Sequence, residues 1–101
     1  DIDRHRVVAE VLGAGFEMVS GMLDIFVPCV NEMALEADGG KRASFRSRRL
    51  SALLPDMEAN LADAEWRRSS YLRLLRVLDY VSGMTDSYAV SLYQKLKGIS
   101  L

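Results

Sequence analysis

The chain has 101 residues, half of them hydrophobic, with 13 basic and 14 acidic side chains and a formal net charge of −1. That length fits one domain spanning residues 1–101, and the apolar content is too high for a disordered segment. A sequence pI near 5.8 gives no whole-protein field for nucleic acid, and a single cysteine, Cys29, excludes an internal disulfide and fits a reducing, cytoplasmic setting.

The two prolines and the absence of regular apolar–polar alternation argue against a β-sandwich and for an all-α fold, a small antiparallel bundle of three to five helices. The longest apolar stretches are about a third of a membrane span and contain charges, so no transmembrane helix and no membrane partner is expected. No signal peptide opens the chain. It begins with Asp1, and a helical pattern is already running by Arg4, as in a piece cut from a longer polypeptide.

The first predicted helix runs from about 3 to 26, with Asp3 as N-cap and Val8, Val11, Leu12, Met18, Val19, Met22, Ile25 and Phe26 at helical spacing. Gly13, Gly15 and Gly21 lie inside it, each at a cost of about 1 kcal/mol relative to alanine, which points to close helix packing or, alternatively, to close approach of a ligand. Pro28 kinks or ends this helix, residues 29–37 continue it briefly, and Asp38-Gly39-Gly40 breaks the chain.

A basic segment follows. Lys41, Arg42, Arg46, Arg48 and Arg49 occur with no intervening acid, and Phe45 is the only aromatic among them. Such a cluster is either a solvated face or a site for the phosphates of a nucleotide or a single strand. Residues 46–54 are expected to form a short helix stopped by Pro55, after which Asp56, Glu58, Asp63 and Glu65 reverse the sign of charge. Asp56 or Asn60 starts the next element.

That element is expected to be one helix over about 61–82, its apolar face made by Leu61, Ala64, Trp66, Tyr71, Leu74, Leu75, Leu78 and Val81. Arg73 and Arg76 share one face and either reach an anion or pair with acids such as Asp79. Gly83 suits a left-handed helix end; Thr85 offers an N-cap and Asp86 a first-turn acid for a last helix closed by Gly98.

The chemistry available to the chain is limited. His5 is the only histidine, so neither a zinc cluster nor a His-based triad beyond His5 can be built, and no strand precedes Gly39-Gly40 to make a phosphate loop. No catalytic residue and no metal ligand is assigned. The acids of residues 56–65 read as a solvated helix entrance rather than as an acid–base pair.

The turn Asp79-Tyr80-Val81-Ser82-Gly83-Met84-Thr85-Asp86-Ser87-Tyr88-Ala89 resembles the C-terminal signature of bacterial deoxyguanosine triphosphate triphosphohydrolases, and the flanking Tyr71-Leu72-Arg73-Leu74-Leu75-Arg76 and Leu92-Tyr93-Gln94-Lys95-Leu96 are similar too. The resemblance covers residues 66–96 specifically and the upstream half only in layout. It implies the phosphohydrolase-associated C-terminal domain of an HD-domain enzyme that cleaves a deoxynucleoside triphosphate to deoxynucleoside and triphosphate. The metal-binding HD residues, holding Mg²⁺ or Mn²⁺, would lie in an N-terminal region this chain lacks. The same resemblance implies a homo-oligomer and a nucleotide or single-stranded DNA effector. It marks Asp79, Tyr80, Thr85 and Asp86 as substrate-site candidates; packing, ion pairing and helix capping account for the same four residues. A freestanding helical interaction or dimerisation module is the alternative.

Overall fold

A computed structural model describes residues 4–98, with side chains from residue 17 onward. The expected roles of Asp3, His5, Val8, Val11, Leu12, Gly13 and Gly15 therefore lie outside the described residues and side chains. The described part is all helical, with no strand. Its order is α1 (Arg4–Ala37), α2 (Phe45–Ser51), α3 (Met57–Ala62), α4 (Ala64–Arg68), α5 (Ser70–Ser82) and α6 (Asp86–Gly98).

The all-α class is as expected, but six helices replace three to five among the described residues. The difference comes from the predicted 61–82 helix, which is broken twice. At Asp63 the backbone turns extended, and the side chain accepts from the Glu65 amide at 3.0 Å. At Ser69 the hydroxyl accepts from the Leu72 amide at 3.1 Å. Short polar side chains that bond their own backbone compete with helix continuation and start a new helix instead.

Pro28 sits inside α1 and does not end this first helix, and residues 29–37 continue it as expected. α1 ends where Asp38-Gly39-Gly40 was read as a break, through a Schellman turn: Gly39, at φ 85°, donates to the Glu36 carbonyl at 3.0 Å, and Gly40 donates to the Leu35 carbonyl at 2.8 Å. A Cβ on Gly40 would lie 2.8 Å from that carbonyl oxygen, so the close approach requires glycine.

α1 is the spine on which all five other helices pack. Met22, Phe26, Cys29, Val30 and Ala34 form its buried stripe, and Leu50, Leu54, Trp66, Val77, Val81, Ala89 and Leu96 complete the core. By length and composition Glu17–Ala37 is long and apolar enough to cross a membrane, which corrects the expectation that no such helix is present. Met22, Phe26, Cys29, Val30 and Ala34 within it are covered by the other helices, whereas Leu35 is 59% exposed and only 28% of the apolar window is buried.

α2 is held to α1 by two carboxylates one turn apart. Glu32 accepts from the Ser44 amide at 3.0 Å and the Ser47 hydroxyl at 2.6 Å, while Glu36 accepts from the Ala43 amide at 2.8 Å and from Arg48. Ser44 caps α2 by accepting from the Ser47 amide. The free amides at this helix start thus meet negative charge, which the helix dipole favours. These bonds lower the pKa of both carboxyls: for Glu32 the Ser47 hydroxyl is the main cause, for Glu36 the Ala43 amide.

Candidate site: a cleft between α1, α3, α4 and α5

A cleft of about 470 Å³ opens where α3 and α4 meet α1 and α5. Its apolar lining comes from Val30, Leu54, Pro55, Met57, Ala59, Trp66, Val77 and Tyr80, and its polar lining from Asp56, Asn60, Arg73, Arg76 and Asp79. Mostly apolar walls with a few polar groups are the usual make-up of a small-molecule or side-chain pocket.

Three of the five polar groups, Asn60, Arg73 and Arg76, are hydrogen-bonded within the fold. Arg73 is half-buried: its Nε donates to Asn31 Oδ1 at 2.9 Å, and its Nη1 donates to the carbonyls of Trp66 at 2.9 Å and Arg67 at 2.7 Å. It thereby satisfies the last-turn carbonyls of α4 and ties α4, α5 and α1 together. Its guanidinium also lies 5.9 Å from the Trp66 ring centroid, and burial lowers its pKa. Arg67 does the same for α3, donating to the Leu61 carbonyl at 2.8 Å and to Asp38 Oδ1 at 2.8 Å. Arg76 bonds the buried Asn60 and lies 3.7 Å from Asp63.

Neither Arg73 nor Arg76 pairs with Asp79, which was one of the alternatives open for them; among the described residues, Arg76 pairs with Asp63 and Arg67 with Asp38. Arg73 and Arg76 instead spend most of their hydrogen bonds on asparagine side chains and carbonyls from other elements. Asp56 caps α3 in a left-handed conformation at φ 58°, and its side chain makes no capping bond. A non-glycine residue in that region is uncommon, and aspartate is among those that tolerate it.

Of the four residues singled out in the α5–α6 turn, two reach the cleft. Asp79 and Tyr80 line it. The Tyr80 ring meets Phe26 edge-on, with centroids 6.2 Å apart, and burial, then hydrogen bonding to Tyr88, pushes its phenol pKa up. Thr85 and Asp86 are not part of the lining. Thr85 Oγ1 accepts from the Tyr88 amide at 3.3 Å, and Asp86 is the first-turn acid of α6. Gly83 is right-handed, at φ −81°, and closes α5 through ordinary turn bonds rather than in the left-handed position expected for it. Asn60 and Trp66, which were not singled out as site residues, line the cleft, and Asn31 accepts from its Arg73.

The five basic residues do not act as one set. Arg48 is bonded to Glu36 and belongs to the α1–α2 joint. Lys41, Arg42, Arg46 and Arg49 are exposed. Phe45 is 66% exposed, and the Arg49 guanidinium lies 5.3 Å from its ring centroid. No group of three or more His, Cys, Asp or Glu side chains converges among the described residues in a way that fits a metal ion.

The family model for the phosphohydrolase-associated domain matches residues 44–95, which hold every cleft residue except Val30 and the whole Asp79–Ala89 turn. A deoxyguanosinetriphosphate triphosphohydrolase-like protein of Listeria monocytogenes is 36% identical over 97% of this chain, which covers 21% of that protein. A protein of the same name from Synechocystis is 36% identical over 96% of the chain and 19% of its own length. The deoxyguanosinetriphosphate triphosphohydrolase of an Enterobacter species is 32% identical over 94% of the chain and 22% of its own length. The chain thus spans about a fifth of the length of the relatives it matches. No solved structure gives a significant match. By the match over residues 44–95, the chain belongs to the phosphohydrolase-associated domain family.

Proposed function

We propose that the chain is the accessory helical domain of a cytoplasmic enzyme that cleaves a deoxynucleoside triphosphate to deoxynucleoside and triphosphate. The observation that carries this reading is the family match, which covers the cleft and the α5–α6 turn together. In this reading Asp79 and Tyr80 form part of the wall of the nucleotide pocket, and the domain also contributes contacts between subunits of a homo-oligomer. Thr85 and Asp86 serve the wall indirectly, by starting α6 where it must start.

The reaction needs an activated water and charge stabilisation at the triphosphate. A divalent metal, Mg²⁺ or Mn²⁺, supplies both, and its ligands belong to an HD region preceding residues 44–95. The residues of this domain bind and shape; none is proposed to move a proton. The 101-residue chain incubated with deoxynucleoside triphosphates and Mn²⁺ or Mg²⁺ is expected to release no inorganic triphosphate. Sustained release by the chain alone overturns the reading.

A second role is favoured by the exposed Phe45 with Arg49 beside its ring and Lys41, Arg42 and Arg46 nearby. A ring for a base and cations for phosphates make a short site for a nucleotide or single-stranded DNA effector. Binding of a labelled oligonucleotide should weaken steeply with salt and fall in Phe45→Ala. Absence of binding at low salt removes this role. A freestanding interaction module is the alternative to both, and a complete reading frame with no phosphohydrolase region would favour it.

A further inference from the structure

α5 has a second apolar stripe. Tyr71, Leu74, Leu75 and Leu78 follow the i, i+3, i+4, i+7 spacing and fall within an arc of roughly 100° at 3.6 residues per turn. Tyr71 is 68% and Leu74 38% exposed, Leu75 and Leu78 are half-buried, and none of the four packs on the core. The core is served by a different arc of the same helix, which carries Val77, Tyr80 and Val81. A surface helix needs one apolar stripe; α5 has two, and the outer one bears no charge.

The spacing matches what a second helix recognises. Its extent decides which helix. Seven residues of helix span about 10 Å, and four side chains over that length offer a patch on the order of 300 Å², against about 800 Å² per partner in a stable complex. A second copy of the chain docking through this stripe alone falls well short. A helix tethered in the same polypeptide does not, because the linker keeps its effective concentration near millimolar and less area suffices. The relatives are about five times as long as this chain, so a tethered partner is available in them.

We propose that the outer stripe of α5 seats a helix of the catalytic region that accompanies this domain, so that α5 joins the two regions through Leu74 and Leu78. The proposal rests on the accessory-domain reading. It is tested in the whole polypeptide of the reading frame with Leu74→Cys, using Glu58→Cys on exposed α3 as the reference and relying on buried Cys29 to stay silent. Maleimide labelling at position 74 is expected to be at least about 100-fold slower than at position 58, at every protein concentration. Equal labelling rates in a polypeptide that releases triphosphate overturn the proposal and leave the accessory-domain reading standing. Protection that vanishes on dilution also overturns it, because a second copy then covers the stripe. Protection at every concentration in a polypeptide that releases no triphosphate defeats the reading, and with it the occupant named here.

Discussion

The ring of Tyr93 lies across Gly21. A Cβ at Gly21 would stand 2.7 Å from Tyr93 Cζ, so the absent side chain is what lets α6 lie against α1. Gly21→Ala gains about 1 kcal/mol of helix propensity but must push the ring aside, and overpacking of this kind costs about 1–3 kcal/mol. The variant is expected to be less stable than the parent. In a Tyr93→Ala background the same change should become stabilising, and a double-mutant cycle by urea unfolding should give a coupling of about 1 kcal/mol or more.

Arg73 joins three helices through bonds that lysine cannot reproduce, because an ammonium has no planar fork to reach Asn31 and two carbonyls together. Arg73→Lys should cost about 1–3 kcal/mol, since buried carbonyls of α4 lose their donor. The fluorescence of Trp66, the only tryptophan and 1% exposed, reports the unfolding midpoint. An unchanged midpoint would show that Arg73 is not the joint described.

How the two arginines are used marks the limit of what the sequence disclosed. Their shared face on α5 was legible from a three-residue spacing, and so were the Thr85 cap, the Asp86 first turn and the break at Gly39-Gly40, all local chemistry. Their partners were not legible, because Asn31 is 42 residues from Arg73 and nothing in either neighbourhood announces the other. The breaks at Asp63 and Ser69 did leave a signal, two capping residue types inside the predicted helix, which the persistent apolar spacing around them outweighed. Asp79 and Tyr80 stood out only through the family resemblance; their place in the cleft depends on Trp66, Asn60 and Val30, which arrive from three other helices.

Glu32 and Glu36 make stability depend on acid. Both carboxyls have pKa values below the ordinary 4.5 in the folded chain. A lowered folded pKa contributes stability that is fully present above the unfolded value and is lost as pH falls through the folded one. Unfolding free energy should therefore be flat near neutrality and drop as pH falls below about 4.5, and Glu32→Gln should flatten part of that drop. An equally steep acid limb in Glu32→Gln would place the titrating groups elsewhere.

Cys29 should be inert in the folded chain. It is 1% exposed, its thiol donates to the Ile25 carbonyl at 3.1 Å, and burial raises its pKa. Reaction with Ellman's reagent is expected only at the rate of global opening, rising in parallel with urea-induced loss of the Trp66 signal. Rapid reaction in native buffer would contradict the packing of α1 against its neighbours.

The domain is proposed to serve a triphosphohydrolase without performing the chemistry. The most direct measurement is phosphorus NMR of the products formed from a deoxynucleoside triphosphate by the whole polypeptide with Mn²⁺. Inorganic triphosphate and free deoxynucleoside are expected from the whole polypeptide and not from residues 1–101. No turnover by the whole polypeptide, or release of orthophosphate or pyrophosphate instead, would contradict it.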